Sequence, residues 1–247
     1  MLQNLFRNMA PVVKNLLILN VLFFVAQFAV PGIMNKLELY PVVSEEFKPW
    51  QLATHFFMHS THGLMHIFFN MFALVMFGSQ LERVWGPKKF LVYYLATALG
   101  AAFLHLLVGY LRIQNLESSL SPTELNQILT EGFEYLRNSK NYVDPLMGQI
   151  NLNLFLLYNT PMLGASGAVF GLLAAYGYLF PNTELYLMFI PVPIKAKYFV
   201  MGYAAIELFS GISNNPNDNV AHFAHLGGAL VGIIMVIIWQ RQKNQFY

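Results

Sequence analysis

Cysteine is absent from the 247 residues, so neither a disulfide framework nor a thiol nucleophile is available. Charge is scarce as well. Asp, Glu, Lys and Arg make up 11% of the chain, against about 25% in an ordinary soluble domain. Only two aspartates occur, Asp144 and Asp218, and neither falls in an apolar stretch, which excludes chemistry built on paired aspartates inside membrane spans. No H-E-x-x-H is present, so a zinc peptidase of that type lacks its base. Internal repeats and low-complexity tracts are also missing, and with them the paired halves typical of many transporters.

What is present is apolar: 56% of the residues are hydrophobic. They collect into six stretches, about 12–30, 63–81, 90–110, 165–180, 198–212 and 220–239, most of them near the 20 residues needed to cross a bilayer. The expected fold is therefore all-α, a polytopic membrane bundle of six helices in one domain spanning 1–247. The first stretch is long and is not followed by a small-x-small site, so it does not read as a cleaved signal peptide. The fourth and fifth are short. Sixteen residues at 1.5 Å each reach about 24 Å of a core roughly 30 Å thick, which suits a helix that begins inside the membrane.

An even number of spans puts both termini on one side. That side holds Arg7, Lys14, Arg83, Lys88, Lys89, Lys195, Lys197, Arg241 and Lys243 against Glu82 and Glu184. The other side holds five basic residues against nine acids. The Lys/Arg excess marks the cytoplasmic face, so both termini are expected there. With no transit peptide or appended domain in view, a bacterial inner membrane is the expected location. Two long segments, 31–62 and 111–163, face the opposite side. The second contains a capping box with proline at the first helical position, Ser121-Pro122-Thr123-Glu124, and reads as a lid helix packed on its neighbours.

Ionisable and polar groups inside spans are costly and are functional-site candidates by default. The candidates are His66 and Asn70 in the second span, His105 late in the third, Ser166 at the start of the fourth, Glu207 in the fifth, and His222 and His225 in the sixth. Ser166 lies in Gly164-Ala165-Ser166-Gly167, after the polar turn Asn159-Thr160-Pro161. A serine at a helix N-terminus sits among free N–H groups that favour a developing oxyanion. Alone, however, such a motif reads first as a helix-packing contact. His225, Gly228 and Gly232 share one face of the sixth helix, where the glycines permit close approach to the fourth and bring His225 toward Ser166. His66 and Asn70, four apart, also share a face. They can serve as oxyanion donors or as interhelical hydrogen-bonding groups.

These residues together resemble the rhomboid intramembrane proteases: Asn70 four after His66, Gly-Ala-Ser-Gly at 164–167, and Ala-His-Leu-Gly-Gly at 224–228, in order across the six spans. The resemblance implies that Ser166 is the nucleophile and His225 the general base, that His66 and Asn70 join the Ser166 N–H as oxyanion stabilisers, and that Phe170 stacks on His225. Gly164, Gly167 and Gly228 would support this arrangement. His225 is preferred to His222 because Leu-Gly-Gly follows it. Glu82-Arg83 looks like the family's structural charged pair. Two features depart from the family pattern: Trp50-Gln51 stands where the family has Trp-Arg, and the 111–163 segment exceeds the minimal core. The resemblance also implies transmembrane protein substrates in a lipid setting and a mobile cap over 211–220. No cofactor, metal or nucleic acid is expected.

Other readings stay open at this level. His55, His59, His62 and His66 lie within twelve positions, and His55/His59 have the spacing of a helical zinc pair. A catalytically silent protein of the same fold that binds membrane helices is the alternative function. No third acid behind His225 is apparent, which leaves packing on Phe170 to orient the ring. Glu207 reads as a hydrogen-bonding group within the bundle.

Overall fold

Helix α1 (Pro11–Ala29) opens on a proline, which loses nothing where the first N–H groups have no intrahelical partner. The next two N–H groups, of Val12 and Val13, are taken by the two carboxylate oxygens of Glu82 at 2.9 Å each. Glu82 is buried, and its charge lies at the positive end of the α1 dipole. Glu82 thus ties the second apolar stretch to the start of the first. The computed structural model from which these contacts come describes residues 9–139, 145–186, 192–213 and 220–244.

The first long loop carries two short helices, α2 (Ile33–Leu37) and α3 (Gln51–Thr54), followed by a 3₁₀ turn at His55–Phe57. Gln51 organises this loop. Its side chain accepts from the N–H groups of Tyr40 and Lys48 and donates to the Glu46 carbonyl. The second apolar stretch is α4 (Met65–Ala73), a π-helical turn at Leu74–Gly78 and α5 (Ser79–Trp85). Gly86 then turns the chain at φ +80°, and Pro87 opens α6 (Pro87–Glu117). At 31 residues α6 extends well past the expected 90–110 stretch, about 46 Å in all.

The second long loop holds α7 (Pro122–Ser139) and α8 (Pro145–Asn159). The capping box is formed: Glu124 accepts from the Ser121 N–H at 2.8 Å, and the Glu124 N–H reaches Ser121 Oγ at 3.3 Å. Ile128 of α7, Leu154 of α8 and Ile113 of α6 bury against one another, which makes this loop a helical hairpin docked on the end of α6. Helix α9 (Ser166–Leu179) follows, then a two-residue antiparallel pair, β1 (Glu184–Leu185) with β2 (Ile194–Lys195). Helices α10 (Ala196–Ser213) and α11 (His222–Asn244) complete the order. Apart from that small hairpin the described residues form an all-α bundle.

Helices α1, α6 and α11 are long and apolar enough to cross a membrane. Helix α9 is shorter and apolar, and α10 includes Lys197 and Glu207. The central packing is α6, α9 and α11. Nearly every α9 residue is buried, while α10 turns Ile206, Leu208, Phe209 and Ile212 outward. A Cβ on Gly228 of α11 would lie 1.9 Å from the Gly167 carbonyl oxygen of α9, so the two backbones touch there and only glycine fits. Tyr93 of α6 donates to the Gly171 carbonyl at 2.7 Å, tying α6 to α9.

Candidate active site

The close approach of α9 and α11 brings two side chains together. Ser166 is the first residue of α9, and among the described residues no side chain caps that end. Its N–H and that of Gly167 are among the first four of the helix, which have no intrahelical acceptor. His225 lies one turn before Gly228 on α11. Its Nε2 is 2.8 Å from Ser166 Oγ. The imidazole stacks on Phe170, one turn along α9, with centroids 4.1 Å apart and planes 5° from parallel. Tyr203 of α10 also packs against Phe170, with centroids 4.7 Å apart.

The turn before Ser166 is held by the first long loop. Leu39 and Met162 exchange backbone hydrogen bonds in a bridge, and the Gly164 N–H donates to the His55 carbonyl at 3.0 Å. Gly164 has φ +119°, a conformation that side-chain-bearing residues rarely adopt. A Cβ there would also lie 3.0 Å from His66 Nε2 and 3.7 Å from Ser166 Oγ. The His66 ring therefore reaches over Gly164 toward the serine. Its Nδ1 accepts from the Ser60 N–H at 3.3 Å, which assigns the ring proton to Nε2, the nitrogen on the Gly164 side. Asn70 is buried one turn below, with its amide donating to the His66 carbonyl at 2.8 Å.

Ser166, His225, His66, Phe170, Gly164, Gly167 and Gly228 thus gather at one place, and Asn70 lies one turn along from His66 with its amide on the His66 carbonyl. A pocket with about 10 Å³ open to the centre of a water molecule adjoins them, lined by His55, Gly164, Ser166, Gly167 and Ala224. That is about the room one water needs. A hydroxyl hydrogen-bonded to a neutral imidazole, with N–H donors beside it, is suited to attack on a carbonyl. Of the expected cap at 211–220, residues 214–219 lie outside the described ones.

One role was missed by sequence reasoning, although its residue stood among the candidates. Glu207 of α10 points inward, and a single oxygen, Oε2, lies 2.9 Å from His225 Nδ1 and 2.6 Å from His222 Nδ1. An acid therefore does stand behind His225, correcting the expectation of a ring oriented by packing alone. The available signal was a lone carboxylate within an apolar stretch. Its partners sit on another helix, 15 and 18 positions on, where spacing gives no guide. The histidines read as a zinc pair do other work: His55 Nδ1 bonds the Gln51 carbonyl at 2.8 Å, and His59 packs against the His66 ring.

Comparison with known proteins follows the same residues. The rhomboid domain model matches residues 46–113 and 142–242. The RHOMBOID-like protein 12, mitochondrial, of Arabidopsis thaliana is 33% identical over 198 residues, covering 79% of this chain and 47% of the relative. An uncharacterized mitochondrial rhomboid protein of Schizosaccharomyces pombe is 28% identical, over 78% of this chain and 52% of its own length. The rhomboid protease AarA of Providencia stuartii is 24% identical, over 77% and 56%. The chain thus spans about half the length of the curated relatives it matches. The mitochondrial names overturn the expected bacterial inner membrane, which had rested on the lack of a recognisable transit peptide rather than on any property of the bundle. The assignment of the termini to a cytoplasm falls with it. Two matched segments covering most of the bundle, including Ser166 and His225, establish that the chain belongs to the rhomboid family.

Proposed function

We propose that the chain is an intramembrane serine endopeptidase, cutting transmembrane proteins in or near their membrane segments with Ser166 as nucleophile and His225 as general base. The observation that carries this reading is the 2.8 Å contact between Ser166 Oγ and His225 Nε2 at the start of α9. In this mechanism a substrate segment unwinds locally, because helical peptide bonds are occupied by i to i−4 hydrogen bonds. Ser166 Oγ attacks the exposed carbonyl as its proton passes to His225 Nε2. The tetrahedral oxyanion is received by the Ser166 N–H and by His66 Nε2–H, with Asn70 as a further donor. His225 returns the proton to the leaving amine. A water in the adjoining pocket, deprotonated in turn by His225, then releases the acyl group.

The bundle is placed in an organellar membrane, as the names of the relatives suggest, with six spans including the broken α4–α5 run, the short α9 and α10. The short α9 sets Ser166 below the membrane surface, and the large outward-facing residues of α1, α6, α10 and α11 are contacted by lipid. Labelling of the detergent-purified protein with a fluorophosphonate tests the reading. Label on wild type, lost in both Ser166→Ala and His225→Ala, is expected. An unlabelled, correctly folded wild type would favour a silent protein that binds membrane helices.

A further inference from the structure

Glu207 is a buried carboxylate beside His225, and three observations bear on what it does. Its neighbours on α10, Ile206 and Leu208, face outward, whereas Glu207 is only 4% exposed. A carboxylate in such a place is costly unless partners accompany it. Its Oε2 meets two imidazoles, His222 Nδ1 at 2.6 Å and His225 Nδ1 at 2.9 Å. The His222 contact has hydrogen-bond geometry, while the His225 N–H points off the line to the carboxylate. Catalytic contacts of that kind are often poorly aligned before substrate binds.

His225 also needs something that Phe170 does not supply. The stack fixes the plane of the ring, but a stack is indifferent to which nitrogen faces Ser166 and to which nitrogen carries the proton. A general base at Nε2 requires the proton on Nδ1. An anion within 2.9 Å of Nδ1 selects that tautomer and stabilises the imidazolium that forms as Ser166 gives up its proton.

We infer that Glu207 is a positioning residue for His225, completing a Ser166–His225–Glu207 arrangement drawn from α9, α11 and α10. His222 makes the hydrogen bond to the same oxygen, and it holds the carboxylate in place beside His225. This inference rests on the protease reading above, and it assigns α10 a part in the chemistry.

The test is steady-state cleavage of a transmembrane peptide by wild type, Ser166→Ala, Glu207→Gln, Glu207→Asp and His222→Ala, with folding checked by gel filtration and thermal melting. Glu207→Gln presents an amide to Nδ1 and is expected to lower kcat about a hundredfold with KM within about twofold. Glu207→Asp, which keeps the charge but draws it back, should recover about tenfold of that loss. His222→Ala, which removes the hydrogen bond that holds the carboxylate, should lower kcat about fivefold. A purely structural Glu207 would instead lower melting temperature in step with activity, with no rescue by aspartate. If Glu207→Gln does not fold, the aspartate variant decides: kcat about tenfold down at unchanged KM supports the role, and the wild-type rate overturns it. An active wild type, a dead Ser166→Ala and a folded Glu207→Gln at full rate would overturn this inference alone. A wild type inert at Ser166 would overturn both readings.

Discussion

Ser166 and His225 stand 59 positions apart in sequence, and each is ambiguous alone. A serine among small residues is a common packing contact, and a histidine on an apolar helix is commonly structural. What made them legible together was the glycine on each side, because small residues imply a close approach that places these two side chains within reach. The role of each donor is less evenly fixed. His66 presents Nε2 toward Gly164, whereas Asn70 spends its amide on the His66 carbonyl. Substituting Ser166 or His225 by alanine is expected to lower turnover at least about a thousandfold. His66→Ala and Asn70→Ala should each cost about a hundredfold in kcat, the usual loss for one oxyanion donor. Unchanged kinetics in Asn70→Ala would remove that residue from the site and leave it as a support for His66. Glu207 was the opposite case, visible as an oddity in an apolar stretch yet without a readable partner, since contacts between helices carry no sequence period.

At the scale of elements, each of the six expected apolar stretches overlaps a helix, but hydropathy said nothing of its internal form. The π-helical turn at Leu74–Gly78 has no signature in an apolar run, and α8 lacks the capping box that announced α7. Helix packing was better marked, and it is open to test through glycine. A Cβ at Gly228 would meet the Gly167 carbonyl oxygen at 1.9 Å, and one at Gly167 would meet Ala101 Cβ at 2.3 Å. Both obstacles are backbone or short side chain, so the helices must separate. Gly228→Ala is therefore expected to lower the melting temperature and abolish labelling of Ser166, because His225 moves with α11. Gly109 and Gly202 offer the contrast, since a Cβ at either meets nothing within 4 Å. Alanine there should be neutral or stabilise by up to about 1 kcal/mol through helix propensity. If Gly228→Ala behaves like Gly109→Ala in melting and labelling, close packing of α9 on α11 is not what positions the site.

For the whole molecule, the charge asymmetry and the order of the apolar stretches were readable early, while the host membrane was not, because no residue of the bundle encodes it. The first long loop is where the molecule's stability meets its site. His55 and His59 are almost fully buried in it. Burial pushes His55 down to about 4, and burial, aided by the nearby His66, does the same to His59. The unfolded chain holds these protons more readily, near the ordinary histidine value of about 6.5. Stability from both groups is therefore complete above about pH 6.5 and is lost as pH falls toward 4. Each contributes at most about 1.4 kcal/mol per pH unit through that window. Glu38, raised by burial, works in the opposite sense and offsets part of the loss. The melting temperature in detergent should fall between pH 6.5 and 4.5, and His55→Gln should flatten that fall. Where unfolding is irreversible, the half-life at fixed temperature serves instead. The His55 carbonyl holds the Gly164 N–H, so acid loosening of this loop should release the turn before Ser166 and lower the labelling rate ahead of global unfolding. A melting temperature flat across that range would show that His55 and His59 do not couple protonation to the fold.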